Sequence, residues 1–76
     1  MKAILEFNLE EDRSDFTLAV NASKWYSVVW DMDQYLRTRL KYEDSINDQE
    51  YEAVEKAREH LFSLMRESGI SFDDVA

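Results

Sequence analysis

Apolar side chains recur along most of this chain, and their spacing changes from one segment to the next. Alternate positions are apolar between Lys2 and Leu9, a two-residue period typical of a half-buried β-strand. From Ser23 to Tyr42, and again after Asn47, the spacing follows the 3.6-residue repeat of an α-helix. The pattern therefore predicts a mainly α-helical domain that opens with one β-strand.

A single strand needs a partner, because unpaired backbone groups must find hydrogen bonds elsewhere. No other stretch of the chain alternates as regularly. The strand could pair with the C-terminal residues 70–75, or with the same strand of a second copy. We favour the second copy, which predicts that dimerisation completes the small helical domain.

A short first helix is predicted from Glu11 to Val20, because acidic side chains at residues 10–12 favour the positive end of a helix dipole. Asn21 and Ser23 each offer a side-chain oxygen that can cap a new helix, so we expect a break there. The alternative is one unbroken helix over residues 11–42, about 32 residues long and unusual in so small a domain.

The segment from Ser23 to Tyr42 holds both tryptophans and three of the four tyrosines. On a helical wheel its apolar side chains cover roughly two-thirds of the circumference, whereas a stripe of about 100° is enough to pack on one neighbour. We therefore expect this helix to have neighbours on two sides. Trp25 lies near the centre of the apolar arc and is expected in the core.

A third helix, antiparallel to the second, is marked at both ends. Asn47 and Glu50 have the spacing of a capping box, and Ile46 can pack on Tyr51 as a hydrophobic staple. Gly69 stands where a left-handed residue ends a helix, and the next residue can fold back onto the last turn. The expected core stripe of this helix is Tyr51, Val54, Ala57 or Arg58, Leu61, Leu64 and Met65.

The 76 residues suit one domain, residues 1–76, in which a small core leaves stability marginal. Residues 70–76 are expected to form a flexible tail unless Phe72 and Val75 pack on the helices. Zero cysteines exclude disulfides and zinc-thiolate sites. With no signal peptide and no apolar run near 18 residues, we expect a cytoplasmic protein that does not enter the membrane.

Candidate chemistry is sparse, and we predict no catalytic, cofactor or metal site. His60 lies on a charged helix with no partner that suggests a triad, so we place it at the surface. The carboxylate pairs have neither EF-hand nor di-iron spacing. The net charge of −8 disfavours direct binding to nucleic acid, and residues 43–76 hold three basic and ten acidic groups.

Two charged residues, Asp33 and Arg39, fall inside the apolar arc of the aromatic helix. A charge there must be paired, so we expect Asp33 to pair with Arg37 one turn on, or either charge to reach a partner chain. Tyr26, Trp30, Asp33 and Arg37 cluster within about 60° where the arc meets the polar face. These four residues are the candidate partner-binding surface.

Two stretches carry a resemblance: KAILEFNL followed by EEDRSDF, and AVN-x-SKWYSVVWDMDQYLRTRLKY with Ala22 at x. Over about residues 2–42 the chain resembles small uncharacterised acidic proteins encoded in bacteriophage and prophage genomes. The resemblance implies a phage gene product in a bacterial cytoplasm, where it binds and modulates a host or phage protein. It implies no catalytic residues.

Two functions compete. The leading hypothesis is a non-enzymatic protein-binding module, homodimeric, because tryptophan and tyrosine dominate interface energetics and this chain has surplus aromatic surface. The alternative is an acidic nucleic-acid mimic, in which the third helix imitates a row of phosphates and blocks a DNA-binding enzyme. Salt would separate the two, since binding by a mimic weakens steeply with ionic strength.

Overall fold

A computed structural model of the chain describes residues 1–42 and 45–74. Over these residues the chain forms three α-helices and one 3₁₀ turn: α1 (Arg13–Val20), α2 (Ala22–Tyr42), α3 (Asp48–Glu67) and the turn Phe72–Asp74. Asp33 of α2 pairs with Arg58 of α3, and Arg39 pairs with Glu50, so the two long helices run antiparallel. None of the described helices has the length and apolarity needed to cross a membrane.

The predicted N-terminal β-strand is wrong. No strand occurs in the described parts of the chain, and residues 1–8 form an irregular arm before α1. Ile4 and Leu5 are both largely exposed. A two-residue repeat becomes a strand only when a neighbouring strand takes up its backbone groups. No described segment provides that neighbour. Without a strand, the sequence pattern no longer supports a dimer formed by pairing it with a second copy.

A turn at Asn8 ends the N-terminal arm and directs the chain into α1. The Asn8 carbonyl accepts hydrogen bonds from the backbone nitrogens of Glu11 and Asp12 at 3.0 and 2.6 Å. Phe7 then packs edge to face on Phe16 of α1, with ring centroids 5.7 Å apart. Phe7 therefore packs through helix contact, not through a sheet.

The break between the first two helices is present, but it is one residue wide. Asn21 has φ −99° and ψ 4°, well away from the helical values near −63° and −42°. Its carbonyl accepts from the backbone nitrogens of Lys24 and Trp25, both at 3.0 Å. The junction is thus closed by the backbone of Asn21, and α1 with α2 makes a bent rod about 45 Å long.

Both predicted ends of α3 are confirmed. The Asn47 side-chain oxygen accepts from the Glu50 backbone nitrogen at 2.8 Å. At the other end Gly69 has φ +72°, and the Ile70 nitrogen donates to the Met65 carbonyl at 3.0 Å, as in a Schellman motif. These caps fix the length of α3 and aim the chain after it back toward α2.

The core of this fold is thin. Within the described residues, Met65 is the one hydrophobic side chain that is nearly covered, at 7% exposure. The chain exposes 6811 Å², against about 4,900 Å² for a compact monomer of its mass. Its radius of gyration is 17.1 Å, whereas about 11 Å is typical for this length. Two paired helices and a bent extension leave much apolar surface open.

The helix α2 has α3 on one side only within the described chain. Its other side is open, and Trp25, expected in the core, is more than half exposed. The wide apolar arc is therefore divided into an inner face that contacts α3 and an outer face that contacts solvent.

Candidate protein-interaction surface

A buried ion pair joins the two long helices. The Arg58 guanidinium donates to both carboxylate oxygens of Asp33, at 2.8 and 3.3 Å. Asp33 is only 3% exposed. Arg58 also lies over the Phe62 ring, 5.3 Å from its centroid. The expected pairing of Asp33 with Arg37 is therefore wrong, because a cation from α3 reaches the carboxylate across the helix interface.

Arg39, the second charge in the apolar arc, also has a partner inside the chain. Its guanidinium lies 3.7 Å from the Glu50 carboxylate near the start of α3. Neither Asp33 nor Arg39 requires a partner chain to pair its charge, because each has an oppositely charged partner on α3. A charge placed this close to apolar surface is tolerated when it is paired in this way.

Phe72 closes the open end of the helical hairpin. Its ring is edge-on to those of Trp30, Tyr26 and Phe62, with centroids 5.2, 6.0 and 6.1 Å away. The Tyr26 hydroxyl donates to the Phe72 carbonyl at 2.9 Å. The segment after Gly69 is thus docked as far as residue 74, and Val75, the other expected anchor, lies outside the described residues.

The structure brings together the four residues predicted to bind a partner and gives them different surroundings. Tyr26 and Trp30 are stacked with ring centroids 6.4 Å apart, and Trp30 remains 40% exposed. Asp33 lies buried, whereas Arg37 is exposed and forms no hydrogen bond or ion pair with any described residue. Their role in binding a partner stays a prediction, with Trp30 and Arg37 offering the open surface.

A groove runs along the interface of α2 and α3 beside these residues. It consists of two adjoining depressions of 530 and 390 Å³, both lined by Arg37, Arg58 and Phe62. The rings of Trp30 and Phe72 wall the larger depression. Three acids besides Asp33 also line the groove: Glu55, Glu59 and Asp73. Beside Arg37, where an aromatic wall adjoins an unpaired cation, the groove suits an apolar side chain that carries or adjoins a carboxylate.

Sequence reasoning missed Arg58, Phe62 and Phe72 as parts of this surface. The signal for Arg58 was available, because it lies on the apolar stripe of α3 while an acid, Asp33, lies on the apolar arc of α2. Two opposite charges on facing apolar surfaces indicate a cross-helix pair. Phe72 was expected as a possible anchor of the tail, but its place in this surface had no signal, since its docking position depends on the direction in which the chain leaves α3.

The outer face of α2, continued by α1, carries a second open surface, which we call the outer stripe. It is made of five large apolar side chains spaced three, four or seven residues apart: Leu18, Trp25, Val28, Met32 and Tyr35. Each is between 54% and 61% exposed. A cavity of 480 Å³ opens beside Leu18 and Trp25 and is walled by Ile70 from the far end of α3.

Other candidate chemistry is confined to the surface of α3. His60 is exposed, and four exposed acids follow one face of the helix: Asp48, Glu52, Glu55 and Glu59. Lys56 neutralises one of them, with its amine 3.1 Å from the Glu52 carboxylate. No group of three or more metal-binding side chains comes together among residues 1–42 and 45–74.

No protein-family model, curated protein sequence or solved structure matches this chain. The resemblance to phage and prophage proteins stays an expectation from residues 2–42. Functional inference rests on the groove, the outer stripe and the charges around them.

Proposed function

We propose that this protein is a non-enzymatic binding module that attaches to a host or phage protein in a bacterial cytoplasm and modulates it. The observation that carries the proposal is the groove between α2 and α3, with aromatic walls and Arg37 at its rim. Ligand-binding sites are typically concave and combine apolar or aromatic side chains with convergent polar groups. In this groove aromatic rings stand among charged side chains from both helices. Partly exposed tryptophan and arginine are the side chains that most often anchor protein interfaces.

The groove favours a partner segment with one apolar anchor and a nearby carboxylate. The anchor would pack against the exposed surfaces of the Trp30 and Phe72 rings, which touch each other and line the larger depression. Tyr26 and Phe62 hold these two rings in place. The carboxylate would accept hydrogen bonds from Arg37. Because Arg37 is exposed, the carboxylate can reach it at the rim without entering the buried part of the interface. Binding of this kind occupies a surface of the partner and requires no reaction.

The test is capture of partners from a bacterial lysate with the wild-type protein and two charge-reversed variants. Arg37→Glu places a negative charge at the groove, and Arg13→Glu makes the same change on α1, where an acid suits the helix start. We expect Arg37→Glu to lose the captured protein and Arg13→Glu to retain it. Equal capture by both variants would exclude the groove as the recognition surface.

The variant pair Trp30→Ala and Asp33→Ala is a poor test of the same idea. Removing Asp33 leaves Arg58 without its carboxylate, and removing Trp30 deprives Phe72 of its nearest ring. Lost binding would then reflect lost folding. A single exposed side chain such as Arg37 avoids that ambiguity.

The alternative, an acidic nucleic-acid mimic, has one observation in its favour, the acidic face of α3. Its carboxylates follow the helix at about one per 5 Å, a sparser charge than the one phosphate per about 3.4 Å along a DNA strand. Lys56 reduces it further. A mimic would lose its partner steeply as salt rises, while capture through the groove, with one ion pair at Arg37 beside the aromatic rings, would weaken much less steeply.

A further inference from the structure

The outer stripe has the repeat of a helix-pairing surface. Trp25, Val28, Met32 and Tyr35 are spaced by three, four and three residues, and Leu18 lies seven residues before Trp25. These are the a and d positions of a heptad repeat, the spacing that lets one helix lie along another. The five side chains span about 26 Å of the α1–α2 rod, and the described chain leaves them open.

The excess surface of the whole chain, to which the N-terminal arm and the outer stripe both contribute, is comparable to what one protomer of a stable dimer buries. The exposed surface of 6811 Å² exceeds that of a compact monomer of this mass by about 1,900 Å². Permanent dimers bury about 1,000–2,500 Å² on each chain. We infer that a second copy of this chain covers the outer stripe, with the two α2 helices antiparallel.

Charge complementarity sets the antiparallel direction. Lys24 and Asp31 are exposed beside the stripe, at the two positions that precede Trp25 and Met32. In an antiparallel pair centred beside residues 26 and 27, Lys24 of each copy faces Asp31 of the other. In a parallel pair the same charges would face Val29 and Leu36 of the second copy, and neither charge would have a partner.

The same register fills the cavity beside Leu18. It places Trp25 against Val28 of the second copy, and Leu18 against Tyr35 of the second copy. The cavity at Leu18 and Trp25 is 480 Å³, enough for a tyrosine side chain. Because residues 13–42 are centred near residue 27, antiparallel pairing there overlaps the whole rod with its copy. The dimer also leaves the α2–α3 groove open for another protein.

Sedimentation equilibrium of the full chain tests the dimer. The wild type is expected at twice 9.1 kDa in the micromolar range. Met32→Glu puts a charge in the stripe and should weaken the dimer at least about tenfold. Ser27→Glu adds the same charge on the polar face of α2 and should leave the dimer intact, with the helix content of both variants unchanged. A 9.1 kDa wild-type species, or equal dissociation of both variants, would overturn the inference.

Cross-linking tests the direction, since the chain has no cysteine of its own. A mixture of Leu18→Cys and Tyr35→Cys proteins should form a disulfide between unlike chains, while neither protein cross-links to itself. Self-linking of the Tyr35→Cys protein would refute the antiparallel arrangement. If Met32→Glu abolishes lysate capture while the wild type sediments as a monomer, another protein covers the stripe and the dimer is refuted. The groove proposal is tested separately by Arg37→Glu.

Discussion

Removing the cation of the buried ion pair should cost more stability than removing its anion. In Arg58→Met the side chain keeps an apolar stem, but the Asp33 carboxylate, 3% exposed, loses both hydrogen bonds. Leaving a buried charge unpaired costs about 3–5 kcal/mol. A chain of this length has a total free energy of unfolding of only about 4–11 kcal/mol. We expect Arg58→Met to remove a large part of it.

Removing the anion of the pair instead should cost less stability. In Asp33→Asn the Arg58 side chain remains, and because it is 25% exposed it can reach water. The loss is then a charge-assisted hydrogen bond, about 1.5–3 kcal/mol. Replacing both residues, as in Asp33→Leu with Arg58→Met, removes the unpaired charge as well, so the double variant should be more stable than Arg58→Met alone.

Urea and thermal unfolding followed by far-UV circular dichroism measure these differences. All variants must be compared at one protein concentration, because self-association would stabilise the folded state. A loss of 3 kcal/mol corresponds to a fall of about 12–24 °C in melting temperature. If Arg58→Met were no less stable than Asp33→Asn, the Asp33 carboxylate would have access to water and the buried-pair argument would fail.

Four further substitutions test the local contacts by the same unfolding measurement. Phe72→Ala should cost about 2 kcal/mol, less than the roughly 3–5 kcal/mol of a fully buried phenylalanine because Phe72 is half-buried. Tyr26→Phe should cost about 1 kcal/mol by removing the hydrogen bond from its hydroxyl to the Phe72 carbonyl. Equal stability of Phe72→Ala and the wild type would mean that the 72–74 turn is undocked. Asn47→Ala should cost about 1 kcal/mol through the lost N-cap, with Ser45→Ala as the neutral control. The same unfolding midpoint for Asn47→Ala and Ser45→Ala would show that the cap contributes no stability. Gly69→Ala should cost about 1–2 kcal/mol from backbone strain alone, because a methyl group there meets no atom within 4 Å; no loss would show that the turn relaxes.

The ends of α3 could be predicted from the sequence because capping is local. Asn47 binds a backbone nitrogen three residues away, and Gly69 is needed for a φ that other residues adopt at a cost. Both signals lie within a few residues of the boundary they set. The break at Asn21 was also predicted from local signals, but its backbone carbonyl, instead of the expected side-chain cap, makes the first hydrogen bonds of α2.

The N-terminal arm could not be predicted from its pattern because a strand is not a local structure. The alternation between Lys2 and Leu9 would place apolar and polar side chains on opposite faces of a strand. The strand itself forms only when a partner strand supplies hydrogen bonds to its backbone. The chain instead uses Asn8 to turn and Phe7 to contact Phe16. The two-residue side-chain period was present, but the neighbouring strand that would turn it into β-structure was not.

The sequence indicated which charges could meet across the hairpin, but it could not fix the pairing, for a related reason. Pairing Asp33 with Arg58 and docking Phe72 on Tyr26 requires the register of the hairpin, which is set by the whole length of α2 and α3. The sequence limited Asp33 to a small set of partners, since a buried charge must be matched. It could not rank Arg58 above the nearer Arg37 without that register.

The two faces of α2 differ in the kind of interaction they offer, and the difference separates folding from association. The inner face contains the Asp33 carboxylate, which must meet Arg58 and so selects one register of the hairpin, while adding little net stability. The outer stripe contains no charge, so it gains from burial against any complementary helix at about 25 cal/mol per Å². Lys24 and Asp31 beside the stripe favour an antiparallel over a parallel copy, because the antiparallel copy pairs both charges and the parallel copy pairs neither. The polar pair thus specifies the hairpin, and the apolar stripe provides the free energy by which hairpins associate.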